Sequence, residues 1–214
     1  MATLAQIKAD IADDIDDTTG EYSAQIAKAV FEAIRYCERE TYYWNETRDI
    51  TFPTVDAQEW YDAADNANIP TLVNIDYAFR EDANNVRLFL NYDTPQALEI
   101  LADNSAIRGE PMSYTYFGQR IRLYPIPDTQ PFTIRLQVGP YRLAPLVNDS
   151  DSNAWTIEAQ DMIKARAKYI VCKNTLKDVN MATEALNDFN DQNAALKAET
   201  SSRNGSGYIQ ATSF

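Results

Sequence analysis

Apolar residues near the start of the chain recur at helical spacing: Leu4, Ile7, Ile11 and Ile15 fall three or four positions apart, which places them on one helix face. A second run, Ile26, Val30, Ile34 and Cys37, predicts another helix after a break. Thr18 and Glu21 form a candidate capping box for it, with Gly20 in its first turn. The aromatic group Tyr42, Tyr43 and Trp44 ends this segment. It reads as a lid on a core, because aromatic rings bury so much area.

From Arg48 the period changes to two. Ile50 and Phe52 alternate with Thr51, Val86, Leu88 and Leu90 alternate with Arg87 and Phe89, and Phe132, Ile134, Leu136 and Val138 alternate with Thr133, Arg135 and Gln137. The last set is the cleanest half-buried strand in the chain. Further strands are predicted near Trp60 and from Leu72 to Phe79, and Tyr114–Phe117 with Arg120–Tyr124 predicts a hairpin turning at Gly118. One short helix interrupts them, with Thr94 as N-cap, Pro95 at its first position, an apolar face of Leu98 and Leu101, and a stop at Asp103 and Asn104. Helical spacing returns after the polar stretch Asn148 to Asn153, in Ile163, Ala167, Ile170 and Val171, and again in Ala182, Ala185, Leu186, Phe189 and Leu196.

These periods give an α+β chain: a helical bundle with an inserted antiparallel β domain and an extended C-terminal tail. The boundaries run 1–47 for the N-terminal helices, 48–148 for the β domain, 149–200 for the helices completing the bundle, and 201–214 for the tail. The tail begins Ser/Gly-rich and ends Tyr208-Ile209-Gln210-Ala211-Thr212-Ser213-Phe214. A leash with an apolar, uncharged end suits a segment that orders on a partner.

Charge and composition narrow the chemistry. Lys and Arg number 19 against 32 Asp and Glu, a net charge of -13. That opposes binding of DNA phosphates on an open surface. The absence of histidine removes Ser-His-Asp and Cys-His nucleophiles and His-ligated zinc. Cys37 and Cys172 sit in helical patterns as buried, reduced thiols, and no secretory signal or membrane span is visible, so maturation in a cytoplasm is expected. An EF-hand loop begun at Asp14 fails, with Thr19 where Gly is needed and Gln25 where the bidentate Glu belongs. Neither a phosphate-binding glycine loop nor a serine elbow occurs among the six glycines. No catalytic, cofactor-binding or metal residue is assigned. A carboxylate-dependent hydrolase acting on cell-wall glycan stays open as the alternative function, since it needs only two acids brought together in space.

The ordered set Gly109-Glu110-Pro111-Met112-Ser113-Tyr114, Gly118, Ile121-Arg122-Leu123-Tyr124-Pro125-Ile126-Pro127 and Asn153-Ala154-Trp155, with Tyr36, Glu38, Arg39 and Glu40 upstream, resembles the head-to-tail adaptor (head completion) proteins of tailed bacteriophages. The likeness covers roughly residues 20–175. The resemblance implies a helical protein with an inserted β domain, a virion component assembled in the host cytoplasm, forming a twelve-fold ring between the portal protein and the tail or nozzle protein. Genomic DNA would pass through its lumen without specific binding, and neither enzymatic activity nor a cofactor is implied. A ring needs heterologous contacts between copies. The β block carries eight Arg and no Lys, which suits bidentate contacts and makes Arg120, Arg122 and Arg135 candidates for the subunit interface. Tyr208, Ile209, Gln210 and Phe214 are the candidate portal-binding residues of the tail.

Overall fold

The computed structural model describes residues 2–102, 107–203 and 205. It opens with helices α1 (Leu4–Asp14) and α2 (Ser23–Cys37), followed by strands β1 (Thr47–Pro53), β2 (Trp60–Tyr61), β3 (Thr71–Leu72), β4 (Ile75–Glu81), β5 (Arg87–Phe89) and β6 (Asn91–Tyr92). Helix α3 (Pro95–Leu101) precedes β7 (Ser113–Phe117), β8 (Arg120–Tyr124), β9 (Thr133–Val138) and β10 (Tyr141–Arg142). The chain returns to helix in α4 (Ala154–Ile157), α5 (Gln160–Val171), a π-helical turn (Cys172–Leu176) and α6 (Val179–Arg203). The fold is α+β, and it divides into two compact units: one from the chain up to Trp44 and from Leu143 onward, the other Asn45–Arg142.

In the helical unit the predicted faces meet. Leu4, Ile7 and Ile11 of α1, Ile26, Val30 and Ile34 of α2, and Met162, Ile163, Ala167 and Val171 of α5 share one core with Trp155 and Phe189. The first amides of α1 have no intrahelical acceptor. The loop before α4 supplies acceptors, with Leu4 N–H donating to the Asp151 carbonyl (3.0 Å) and Ala5 N–H to that of Asp149 (2.9 Å).

The entry to α2 differs from the expected capping box. The helix begins at Ser23, and the Asp17 carboxylate accepts from the amides of Glu21 and Tyr22, both at 2.9 Å. A carboxylate takes two donors at once and carries charge suited to a helix start. Gly20, at φ +75°, turns the chain just ahead of the helix, not within its first turn. A capping box does form at α4. Asn153 accepts from Trp155 N–H at 2.9 Å, and Thr156 Oγ1 accepts from Asn153 N–H at 3.1 Å.

Tyr42, Tyr43 and Trp44 lie in the loop beyond α2, and Tyr42 and Trp44 belong to this core. The Tyr42 and Trp44 rings stack at 4.8 Å, and both meet Trp155 edge-on at 5.7 and 5.5 Å. Helix α6 buries Ala182, Ala185 and Phe189 and continues through Ser201–Arg203, so the expected leash does not begin at Ser201. The rest of the tail, with Tyr208, Ile209, Gln210 and Phe214, lies outside the described residues, as do Asp103 and Asn104.

The β unit contains a four-stranded sheet ordered β1-β9-β4-β5, a second ordered β2-β8-β7-β6, and the pair β10-β3. Strand β9 sits between β1 and β4, antiparallel to both. Its Ile134, Leu136 and Val138 join Phe52, Tyr61, Leu72, Tyr114, Ile121 and Leu123 in the second core. The hairpin β7–β8 turns through Gly118 (φ +60°) and Gln119 (φ +65°). Two left-handed residues in a two-residue loop match the twist of the flanking strands. Thr94 caps α3 by accepting from Ala97 N–H at 3.2 Å.

Three details depart from the periodic reading. Strand β6 pairs with β7 in parallel. Leu101 is exposed, leaving Leu98 as the buried anchor of α3. Of Val86, Leu88 and Leu90, Leu90 alone is buried. Val86 and Leu88 flank or lie in β5, an edge strand that pairs with β4 and has nothing described beyond it.

Candidate functional site

The three arginines singled out from the β block have different surroundings. Arg120 is half exposed, its Nε 3.1 Å from Asp62 Oδ2. Arg135 donates to Asp49 Oδ1 at 2.8 Å and faces Glu81. Arg122 is enclosed. Its side chain is 8% exposed, its Nε and Nη1 reach Glu59 and Glu99, both at 2.5 Å, and its guanidinium lies 5.3 Å from the Trp60 ring centroid. Alternation along β8 suggests an open arginine face. The structure has that face at Arg120 but covers it at Arg122, because Glu59, Glu99 and Trp60 close over the strand. A guanidinium so enclosed fastens β8 to its own subunit.

The chemistry of the remaining candidates is quiet. Both cysteines are free thiols and buried. Burial pushes the Cys37 thiol up to about 12, against the opposing pull of Arg166, and burial likewise raises Cys172. Thiolates, the reactive form, are therefore scarce at neutral pH. Asp14 of the acid-rich stretch pairs with Lys164 (3.5 Å) and Lys168 (3.2 Å) of α5, and Asp17 holds the α2 entry. Among the described residues no group of three or more acidic or thiol side chains is placed to hold a metal ion. No helix among them is long and apolar enough to cross a membrane.

What sequence periodicity missed is surface. Val86, Leu88 and Phe89 are 52%, 50% and 67% exposed, and Tyr77 beside them on β4 is 56% exposed. Phe89 packs on Phe79 at 4.5 Å and on Tyr77 at 6.2 Å, so these three rings form one patch across the two strands, while Leu88, opposite Arg80, lies on the other face. The signal was present: Val86-Arg87-Leu88-Phe89-Leu90 puts apolar residues at both parities, the mark of a strand covered on both faces. Isolated exposed apolar side chains are ordinary, but a contiguous apolar patch marks an interaction surface.

Residues 2–210 match the model of the SU10 adaptor protein family, phage head-tail adaptors. The chain belongs to that family. No curated protein matches it. The adaptor is thus a structural component of a phage virion, interacting with other head and tail proteins.

Proposed function

We propose that the adaptor forms a twelve-fold ring that joins the portal vertex to the tail or nozzle protein and continues the DNA channel, without catalytic activity. The observation that carries this reading is the exposed apolar patch of Tyr77 and Phe89, found on a member of a structural adaptor family. A monomer gains nothing by leaving such a patch in water, and burial of it yields ~25 cal/mol per Å². A net charge of -13 suits a channel wall, since a basic lining would hold the genome through many phosphate contacts. The same charge sets identical subunits against one another, so ring closure is completed on the portal. Arg120 and Arg135 contribute to the contact between copies at its polar rim, while the C-terminal residues Tyr208, Ile209, Gln210 and Phe214 anchor to the portal. Assembly belongs to the host cytoplasm, before the tail is joined.

The test is mass in solution with and without portal protein, beside a cell-wall hydrolysis assay. Expected are small species for the free adaptor, a ring on addition of portal, and no glycan turnover. Hydrolysis abolished by a single Asp or Glu substitution, or failure to add to the portal, overturns the reading.

A further inference from the structure

The helical unit of this acidic protein carries a basic groove. It is an open cleft of about 760 Å³ between the outer faces of α2 and α5. Lys28 and Arg35 of α2, Arg39 in the turn just past its end and Arg166 of α5 line it, with Glu32 as the opposing acid. Spacing explains the first two: positions 28 and 35 are seven residues apart, on one stripe of α2. Lys28 is engaged by Glu32 at 3.7 Å. Arg35 and Arg39 are exposed.

The floor is aromatic. The Arg166 guanidinium lies 3.9 Å from the Tyr36 ring centroid and 5.1 Å from those of Tyr169 and Phe189. Its Nε is buried without a hydrogen-bond partner. Phe31 and Tyr36 leave 41% and 44% of their surface in solvent. A cation held by aromatic faces keeps its charge available to a further partner, because the rings supply no counter-ion.

The same chain presents a matching surface. Glu184, Asp188 and Asp191 lie four and three residues apart on α6 and are all exposed. The face opposite packs Ala182, Ala185 and Phe189 inward. Glu184 and Asp191 are separated by seven residues, as are Lys28 and Arg35, so both pairs span ~10 Å at a rise of 1.5 Å per residue.

We infer that the α2–α5 groove of one copy receives the acidic α6 face of the next copy. The inference rests on the ring reading above and names the helical part of its interface. Groove and acidic face lie on different helices, so each copy offers one while filling the other. That is a heterologous contact, which propagates around a ring. It also provides the local attraction that identical subunits with a net charge of -13 need in order to meet.

The experiment uses full-length adaptor and sedimentation velocity from micromolar to millimolar concentration at low and raised salt, alone and with portal protein. Three variants are compared with the wild type: R35E/R39E, E184K/D188K, and the four substitutions combined. All four positions are exposed, and retained thermal melting confirms folding. Wild-type association should weaken with salt, and each reversal should weaken it at least about tenfold, the scale expected for lost charge pairs. An equimolar mixture of the two reversed variants, and the combined variant alone, should regain association. Undiminished association in either reversed variant, or no recovery in both the mixture and the combined variant, overturns the pairing of these two surfaces and leaves the ring reading standing. A wild-type chain that never self-associates, alone or on the portal, overturns both.

Discussion

The helical unit closes its core around large side chains, while the β unit leaves many of them at the surface. Of the sixteen large hydrophobic residues that are exposed among the described residues, eleven lie between Val55 and Phe117 in the β unit and five in the helical unit. The charged side chains divide the same way. Lysine serves the helical unit, as in Lys8–Asp149, Lys168–Asp14 and Lys197–Glu40. In the β unit every ion pair uses arginine, and several join segments far apart in sequence, such as Arg80–Glu110, Arg108–Asp56 and Arg122–Glu59. Thin sheets with short strands bury little area on either face, so planar guanidinium clamps tie their loops down. One unit is held by apolar faces. The other combines a smaller core with arginine clamps and keeps apolar surface free for neighbours.

The largest expected effect separates the two kinds of core. Trp155 is fully buried and meets both Tyr42 and Trp44 edge-on, so Trp155→Ala should cost about 3 to 5 kcal/mol in urea unfolding followed by far-UV circular dichroism. A loss below about 1 kcal/mol, the range of ordinary surface changes, would mean that the aromatic cluster does not organise the helical unit.

Arg122 tests the clamp in the β unit. Truncating Arg122 to Ala removes the partner of Glu59 and Glu99, of which Glu59 is 26% exposed and Glu99 76%. Because Glu99 stays hydrated, the loss should fall below that of a fully buried pair, at about 2 kcal/mol by chemical unfolding. Arg122→Met should cost less than Arg122→Ala, since its stem keeps the contact with Trp60. Equal losses would show that charge, and not the side-chain stem, holds β8.

A smaller change reports on how the chain enters α4. Asn153→Ala removes the cap on Trp155 N–H and should cost ~1 kcal/mol in the same unfolding assay. Asn153→Ser keeps an accepting oxygen and should recover most of it. The comparison also bears on what the sequence disclosed. Side chains that repeat at a fixed period were legible, Ile7 and Ile11 or Ile134 and Leu136, as was the local signal of Thr94 with Pro95 at the start of α3. Features made by residues distant in sequence were not. The Asp17 carboxylate took the role expected of Thr18 and Glu21, because which group reaches a free amide depends on the loop path. Arg122 looked open because its partners, Glu59 and Glu99, lie 63 and 23 residues away. The basic groove was hidden for the same reason. Its α2 half is periodic, but Arg166 reaches it only through the way α5 packs.

The smallest expected effect on stability belongs to the exposed rim of the β unit, where it is most informative. Phe89 on β5 is 67% exposed, touching Phe79 and Tyr77 on β4. Replacing it with Ser removes an apolar ring that already faces water, so the folding free energy should shift by no more than ~0.5 kcal/mol. Assembly should respond far more. If the rim is covered in the ring, the substitution leaves a polar hydroxyl and a void within a buried contact, and addition to the portal should weaken at unchanged thermal melting. A Phe89→Leu variant, which keeps an apolar surface, should fall between. Should Phe89→Ser destabilise the isolated subunit as strongly as a core change, the ring serves the β unit's own core and the contrast between the two units fails. If both stability and assembly stay as in the wild type, the rim is not where neighbours meet, and the contact between copies lies on the helical side alone.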